Sequence, residues 1–209
     1  MEMENMIVTN VEGLRDPFIL VDNGVYYLYG TGVLNEDWDN TTWACYVNDS
    51  GSLLGEWKKT EKLVYQKPAY AQKQFWAPEV HKYNGKYYFS YSTGDSHLLC
   101  YATGDNPYGP FTYQGVIMTP VVGWTTHHSI VEYKGKWYLF HHDSVPSGGK
   151  NHLRSLKVCE LEYDEEGRIK TIDGIDECVV ATIAAGILGD GDGRVVVIGL
   201  DGECAAAYA

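Results

Sequence analysis

Three short stretches of this chain bring together residue types suited to acid–base chemistry on an uncharged substrate. They are Leu14-Arg15-Asp16-Pro17-Phe18, Phe75-Trp76-Ala77-Pro78-Glu79-Val80 and Gly123-Trp-Thr-Thr-His127-His128-Ser129-Ile130. Proline at position 17 blocks helix and disfavours helical backbone for the residue before it, so Asp16 is expected to be extended and rigidly held. Glu79 follows two large rings, Phe75 and Trp76, and loss of solvation beside rings raises a carboxyl's pKa. His127 and His128 are adjacent, so on a strand they face opposite sides and only one can enter a shared site. A histidine in such a place can hold a metal ion or a water network. Farther along, the planar guanidinium of Arg154 suits carboxylates or sugar hydroxyls. Each group also has a plainer reading: Asp16 as a turn cap, Glu79 as a surface residue, the histidines as satisfied core rings.

The elements that must position these groups form a repeat. Asp22-Asn-Gly-Val-Tyr-Tyr-Leu-Tyr-Gly30, Tyr83-Asn-Gly-Lys-Tyr-Tyr-Phe-Ser-Tyr91 and Tyr133-Lys-Gly-Lys-Trp-Tyr-Leu-Phe-His141 share one plan. A short apolar strand meets a two-residue turn at Asn-Gly or Lys-Gly, which supplies the positive φ such turns require. An aromatic strand then returns, followed by a more polar one and a Gly/Pro-rich turn such as Gly104–Pro110. Antiparallel units at a period of roughly 50 to 60 residues are the signature of propeller blades. A β-sandwich also uses hairpins, but has no reason to repeat an aromatic one at blade spacing. The fold expected is therefore all-β, with about three blades and a functional site where their first strands converge.

Length and composition agree with this reading. The 209 residues suffice for one domain. Residues 1–174 read as a partial propeller, and residues 175–209, rich in Gly and Ala, as an extra hairpin or tail. The 17 tyrosines and 6 tryptophans suit pleated surfaces and also sugar faces. A net charge of -12 argues against nucleic acid and anionic membranes as partners. Five cysteines without C-x-x-C spacing argue against a disulfide framework, so Cys100 and Cys159 are expected as packed thiols. The first ten residues lack an apolar core, and the apolar run 179–188 is too short to span a bilayer. Location stays open between the cytoplasm and secretion with the leader removed.

The three motifs together resemble glycoside hydrolase family 43. Arg15-Asp16-Pro17 with Gly-x-Tyr-Tyr-Leu-Tyr is similar to its opening blade. Phe75-Trp-Ala-Pro-Glu-Val80 is similar to its second blade, and Thr126-His-His-Ser-Ile-Val-Glu-Tyr-Lys-Gly-Lys-Trp-Tyr-Leu-Phe140 to its closing blade. The resemblance implies a five-bladed propeller and inverting hydrolysis of arabinofuranosyl or xylosyl linkages in hemicellulose. By motif, Asp16 would be the general base, Glu79 a carboxyl that tunes the acid, and His127 the histidine near an axial calcium or similar ion. Trp76, Phe75, His128 and Arg154 would contact the sugar. No organic cofactor is implied. The family's general-acid motif, a Glu followed by Gly or Ala and then Pro or Ser, is not found. Tyr83 to Gly115 is similar to the blade that normally bears it, as if one blade's front were joined to another's back. Glu79 in the acid's role, a missing acid, and an acid from a second chain remain three alternatives. Three blades do not close a ring, so the expectation is an open partial propeller, a homodimer, or a chain that is part of a larger protein. If the acid is missing, the chain would bind glycans without cleaving them.

Overall fold

The computed structural model describes residues 11, 13–32, 43–60, 74–94, 98–123 and 127–174, and the backbone of three short strands beyond them. Its strands form three four-stranded antiparallel sheets and one two-stranded hairpin. The first blade runs β1 (Arg15–Asp22), β2 (Val25–Thr31), β3 (Trp43–Asn48) and β4 (Lys58–Lys59). The second runs β5 (Phe75–Tyr83), β6 (Lys86–Thr93), β7 (Leu98–Gly104) and β8 (Thr112–Met118). The third runs β9 (His128–Tyr133), β10 (Lys136–Asp143), β11 (Ser155–Leu161) and β12 (Val179–Val180). β12 falls within the segment 175–209, as does the hairpin of β13 (Val195–Ile198) and β14 (Cys204–Ala207). The rest of that segment lies outside the described residues.

Local chemistry explains each blade's first hairpin. Asn23–Gly24, Asn84–Gly85 and Lys134–Gly135 all have positive φ at both positions. That is the mirror-image turn whose twist matches the strands it joins. A Cβ on any of these glycines would meet nothing within 4 Å, so backbone conformation and not space selects glycine here.

Period-two alternation then gives each sheet two faces. One face of the first blade, with Phe18, Leu20, Tyr29 and Trp43, packs on Phe75, Phe89 and Tyr91 of the second. The Trp43 ring lies 4.9 Å from Phe89 and 4.7 Å from Tyr91. The second blade's other face, with Leu99, Tyr101 and Ile117, packs on Ile130, Leu139 and Leu161 of the third. Three sheets stacked in series exclude the two-sheet sandwich: these are three consecutive propeller blades. Away from the mouth, Lys82 and Tyr87 bind the Asp22 carboxyl at 3.0 and 2.7 Å and clasp the first two blades.

The outer faces of the series are not covered by another described blade. Ile19 and Val21 are exposed on the first blade, Val131 and Tyr133 on the third. Cys100 is a buried free thiol as expected. Cys159 is not: it is disulfide-bonded, to a partner outside the described residues.

Candidate active site

The heads of β1, β5 and β9 meet at one mouth. Asp16 does not have the extended backbone expected of it. Its φ is +51°, on a bulge where the β1–β2 register shifts between Arg15 and Phe18. The second blade repeats the device at Ala77, φ +47°, where the β5–β6 register shifts between Trp76 and Glu79. Proline follows in both cases and has no N–H to lose from the ladder, so it tolerates the interruption. A non-glycine residue at such φ is strained and persists only where its surroundings hold it.

Those surroundings are visible around Asp16. The Thr31 hydroxyl donates to Asp16 Oδ2 at 2.5 Å and accepts from the Ala77 N–H at 2.9 Å. Asp16 Oδ1 lies 3.5 Å from His127 Nε2, and the two side chains are 27% and 43% exposed. The Asp16 carboxyl is thus held by Thr31 on Oδ2, while Oδ1 faces the partly exposed His127 ring. Thr31 escaped the sequence reading. The available signal was its place at the end of β2, opposite Arg15 in register.

Glu79 has the opposite setting. It is 3% exposed. Its Oε1 accepts the Ile130 N–H at 2.8 Å, and it bonds the Ser129 side chain. Burial pushes its carboxyl up to about 8, with these two bonds opposing the shift. It therefore keeps its proton near neutral pH, tied to β9 instead of facing open solvent.

The histidines part company as alternation requires. His127 faces Asp16, whereas His128 Nε2 lies 2.7 Å from the Ser90 hydroxyl on the second blade. Beyond His127 stands His142, with ring centroids 6.1 Å apart. Desolvation, then the positive charge of Arg154, pushes His142 down to about 4, so it is neutral. Arg154 itself is exposed, its Nε donating to Asn151 O at 3.0 Å. It reaches the site's field but is not forked onto a carboxylate.

One expectation needs correction. Phe75 is fully buried, 4.8 Å from the Trp43 ring, which removes it from the sugar-contact set. Trp76, next in chain and on the other face, remains half-exposed, and its ring occupies the space a Cβ on Gly94 would need, at 2.5 Å. The ion expected near His127 calls for its own donor set. Calcium takes six to eight oxygen ligands. The described surroundings of His127 supply the Asp16 carboxylate and a second imidazole, and no group of three or more His, Cys, Asp or Glu among the described residues is disposed around a metal. This donor set does not fit calcium, and the chemistry below is derived without it.

The chain is similar to a xylosidase/arabinosidase of Bacteroides ovatus, 82% identical over 103 residues, which are 49% of this chain and 32% of that protein. It is also similar to an arabinoxylan arabinofuranohydrolase of Paenibacillus polymyxa, 32% identical over 186 residues, 80% of this chain and 29% of that protein. Among solved structures it is similar to the RS223 β-xylosidase, at 46% identity and a TM-score of 0.66, covering 79% of this chain and 60% of that one. A GH43_1 enzyme of Xanthomonas citri complexed with xylotriose gives 38% identity and a TM-score of 0.66, covering 77% and 57%. The chain spans about a third of the length of these curated relatives and about three fifths of the solved chains. Three blades are that fraction of the five-bladed ring these relatives form. A family model aligns from residue 5 to residue 174 and takes in the Asp16 bulge, the Ala77 bulge and the His127–His128 strand in order, and with that match the chain belongs to the glycosyl hydrolases family 43.

Proposed function

We propose that this chain carries the catalytic base of a hemicellulose glycosidase that releases α-L-arabinofuranosyl or β-D-xylosyl units with inversion. One observation carries the proposal: the Asp16 carboxyl is pinned through Oδ2 and remains partly exposed beside His127, at the mouth where the blades converge. A base so held takes a proton from water through Oδ1. The water oxygen bonds to the anomeric carbon as the leaving oxygen departs with a proton from a general acid. Water is the co-substrate, and no organic cofactor is needed. The names of the relatives, xylosidase/arabinosidase and arabinoxylan arabinofuranohydrolase, and the xylotriose bound in a solved relative support the substrate class.

Glu79 holds its proton at neutral pH, as a general acid must, but its burial against β9 suits it better to bracing the His127–His128 strand. In this reading the acid comes from a further, different chain that closes the ring over the exposed Ile19, Val21, Val131 and Tyr133. The buried Glu79 also favours a second reading, a glycan-binding remnant without an acid.

Release of arabinose or xylose from arabinoxylan oligosaccharides, run beside Asp16→Asn and an aryl xyloside, separates the readings. Release that Asp16→Asn abolishes supports the hydrolase. Turnover of the aryl substrate alone, whose leaving group needs little protonation, supports the remnant. Undiminished turnover in Asp16→Asn overturns the assignment of the base. Light scattering on the same sample tests for a further chain, and a monomer of this chain that hydrolyses oligosaccharides overturns the reading in which another chain supplies the acid.

A further inference from the structure

We infer that Thr31 is the positioning residue for Asp16, and that through it the Ala77 bulge of the second blade sets where the first blade's carboxylate points. The inference rests on the reading of Asp16 as the base. Thr31 ends β2 and is fully buried. A hydroxyl has one proton to give and can accept as well. Here its oxygen takes the Ala77 N–H at 2.9 Å, and its proton goes to Asp16 Oδ2 at 2.5 Å. The first bond removes the freedom of the second, since a hydroxyl that accepts from a fixed backbone donor cannot turn away without leaving that buried donor unpaired.

Geometry makes this link specific. At the bulge between Trp76 and Glu79, with Ala77 at φ +47°, the Ala77 N–H points to the first blade and ends on the Thr31 hydroxyl. The matching bulge at Asp16, φ +51°, brings the carboxyl to the same hydroxyl from the other side. Two strained residues on neighbouring blades thus share one buried hydroxyl. Holding Oδ2 leaves Oδ1 to meet the reacting water, which is the orientation a base requires. Thr31 touches neither substrate nor water in this account and acts only through Asp16.

The test compares Thr31→Val, which keeps the shape and removes the hydroxyl, with Thr31→Ser, which keeps the hydroxyl, beside Asp16→Asn. Thr31→Val is expected to lower kcat roughly ten- to hundredfold, the size of one hydrogen bond to a charged group, with KM nearly unchanged. Thr31→Ser is expected to restore most of the rate. A residue that only supports the fold would not give this split or this rescue. Full turnover in Thr31→Val beside an inactive Asp16→Asn overturns the inference and leaves the base assignment standing. Full turnover in Asp16→Asn overturns both. A second readout needs neither turnover nor a folded valine variant. In the wild-type chain the Thr31 hydroxyl proton should be visible by NMR in slow exchange, with a contact to the Ala77 amide proton, and should be lost in Asp16→Ala. A hydroxyl signal that Asp16→Ala leaves in place overturns the relay.

Discussion

The first two blades carry the same local device and place their carboxyls at different positions along it. In each, a residue at positive φ precedes a proline at a bulge near the head of the inner strand. In the first blade the carboxyl belongs to the bulged residue, Asp16, and reaches the mouth. In the second it belongs to Glu79, two positions beyond the bulged Ala77. That is the place Phe18 holds in the first blade: Phe18 lies opposite Tyr29, and Glu79 opposite Ser90, on the matching return strands. Phe18 packs on the next blade as an apolar side chain should, whereas Glu79 meets the next blade as a hydrogen-bonded acid. The contrast teaches that motif chemistry does not settle a carboxyl's role. Whether it stands at the bulge or beyond it, back in the regular ladder, decides whether it faces water or a neighbouring sheet.

The comparison is most easily broken at Asp16. Asp16→Asn should lower hydrolysis by about 10²–10⁴-fold, the usual worth of a general base, with the thermal midpoint little moved. A large loss of stability with intact turnover would reverse the two roles. Glu79→Ala should do the converse, destabilising the fold by about 2–4 kcal/mol in denaturant titration, because it leaves the Ile130 N–H unpaired beside a cavity.

Titration sharpens the same contrast. Glu79 sits at about 8 in the fold against 4.5 for the unperturbed group, so the folded chain holds a proton the unfolded chain has lost between those values. Stability from this group is full below about pH 4.5 and declines as pH rises toward 8, by a few kcal/mol in order of magnitude. Thermal midpoints followed across that window should fall with rising pH, and Glu79→Gln should flatten the fall. An unchanged slope in Glu79→Gln would show that the carboxyl does not carry the effect. The smallest effect belongs to the partly exposed clasp below the mouth. Asp22→Asn should cost under about 1 kcal/mol, since Lys82 is well exposed to solvent. A larger loss would mean that the clasp, more than the buried faces, joins the first two blades.

The blade repeat was readable because its causes are local. Asn-Gly and Lys-Gly turns demand positive φ, and period-two alternation follows from the strand itself. The Asp16, Glu79 and His127 stretches could be singled out for the same reason, as each couples a chemical group to a turn or proline beside it. What Phe75 does was not readable. The residue beside Trp76 looks like a second sugar platform in sequence, and only the Trp43 ring arriving from another blade makes it core. The link through Thr31 was hidden likewise, because the Ala77 N–H that fixes it arrives from another blade.

By itself, then, the sequence determined the all-β blade plan, the hairpin turns, the family likeness and the three stretches that meet at the mouth. The tertiary structure alone decided that Asp16 is bulged and pinned by Thr31, that His127 faces it while His128 faces Ser90, and that Glu79 is buried with its proton retained. The physical reason is range. Turn preference and alternation act over a few residues along the chain, whereas desolvation and the sharing of one hydroxyl between two blades depend on which surfaces arrive from elsewhere.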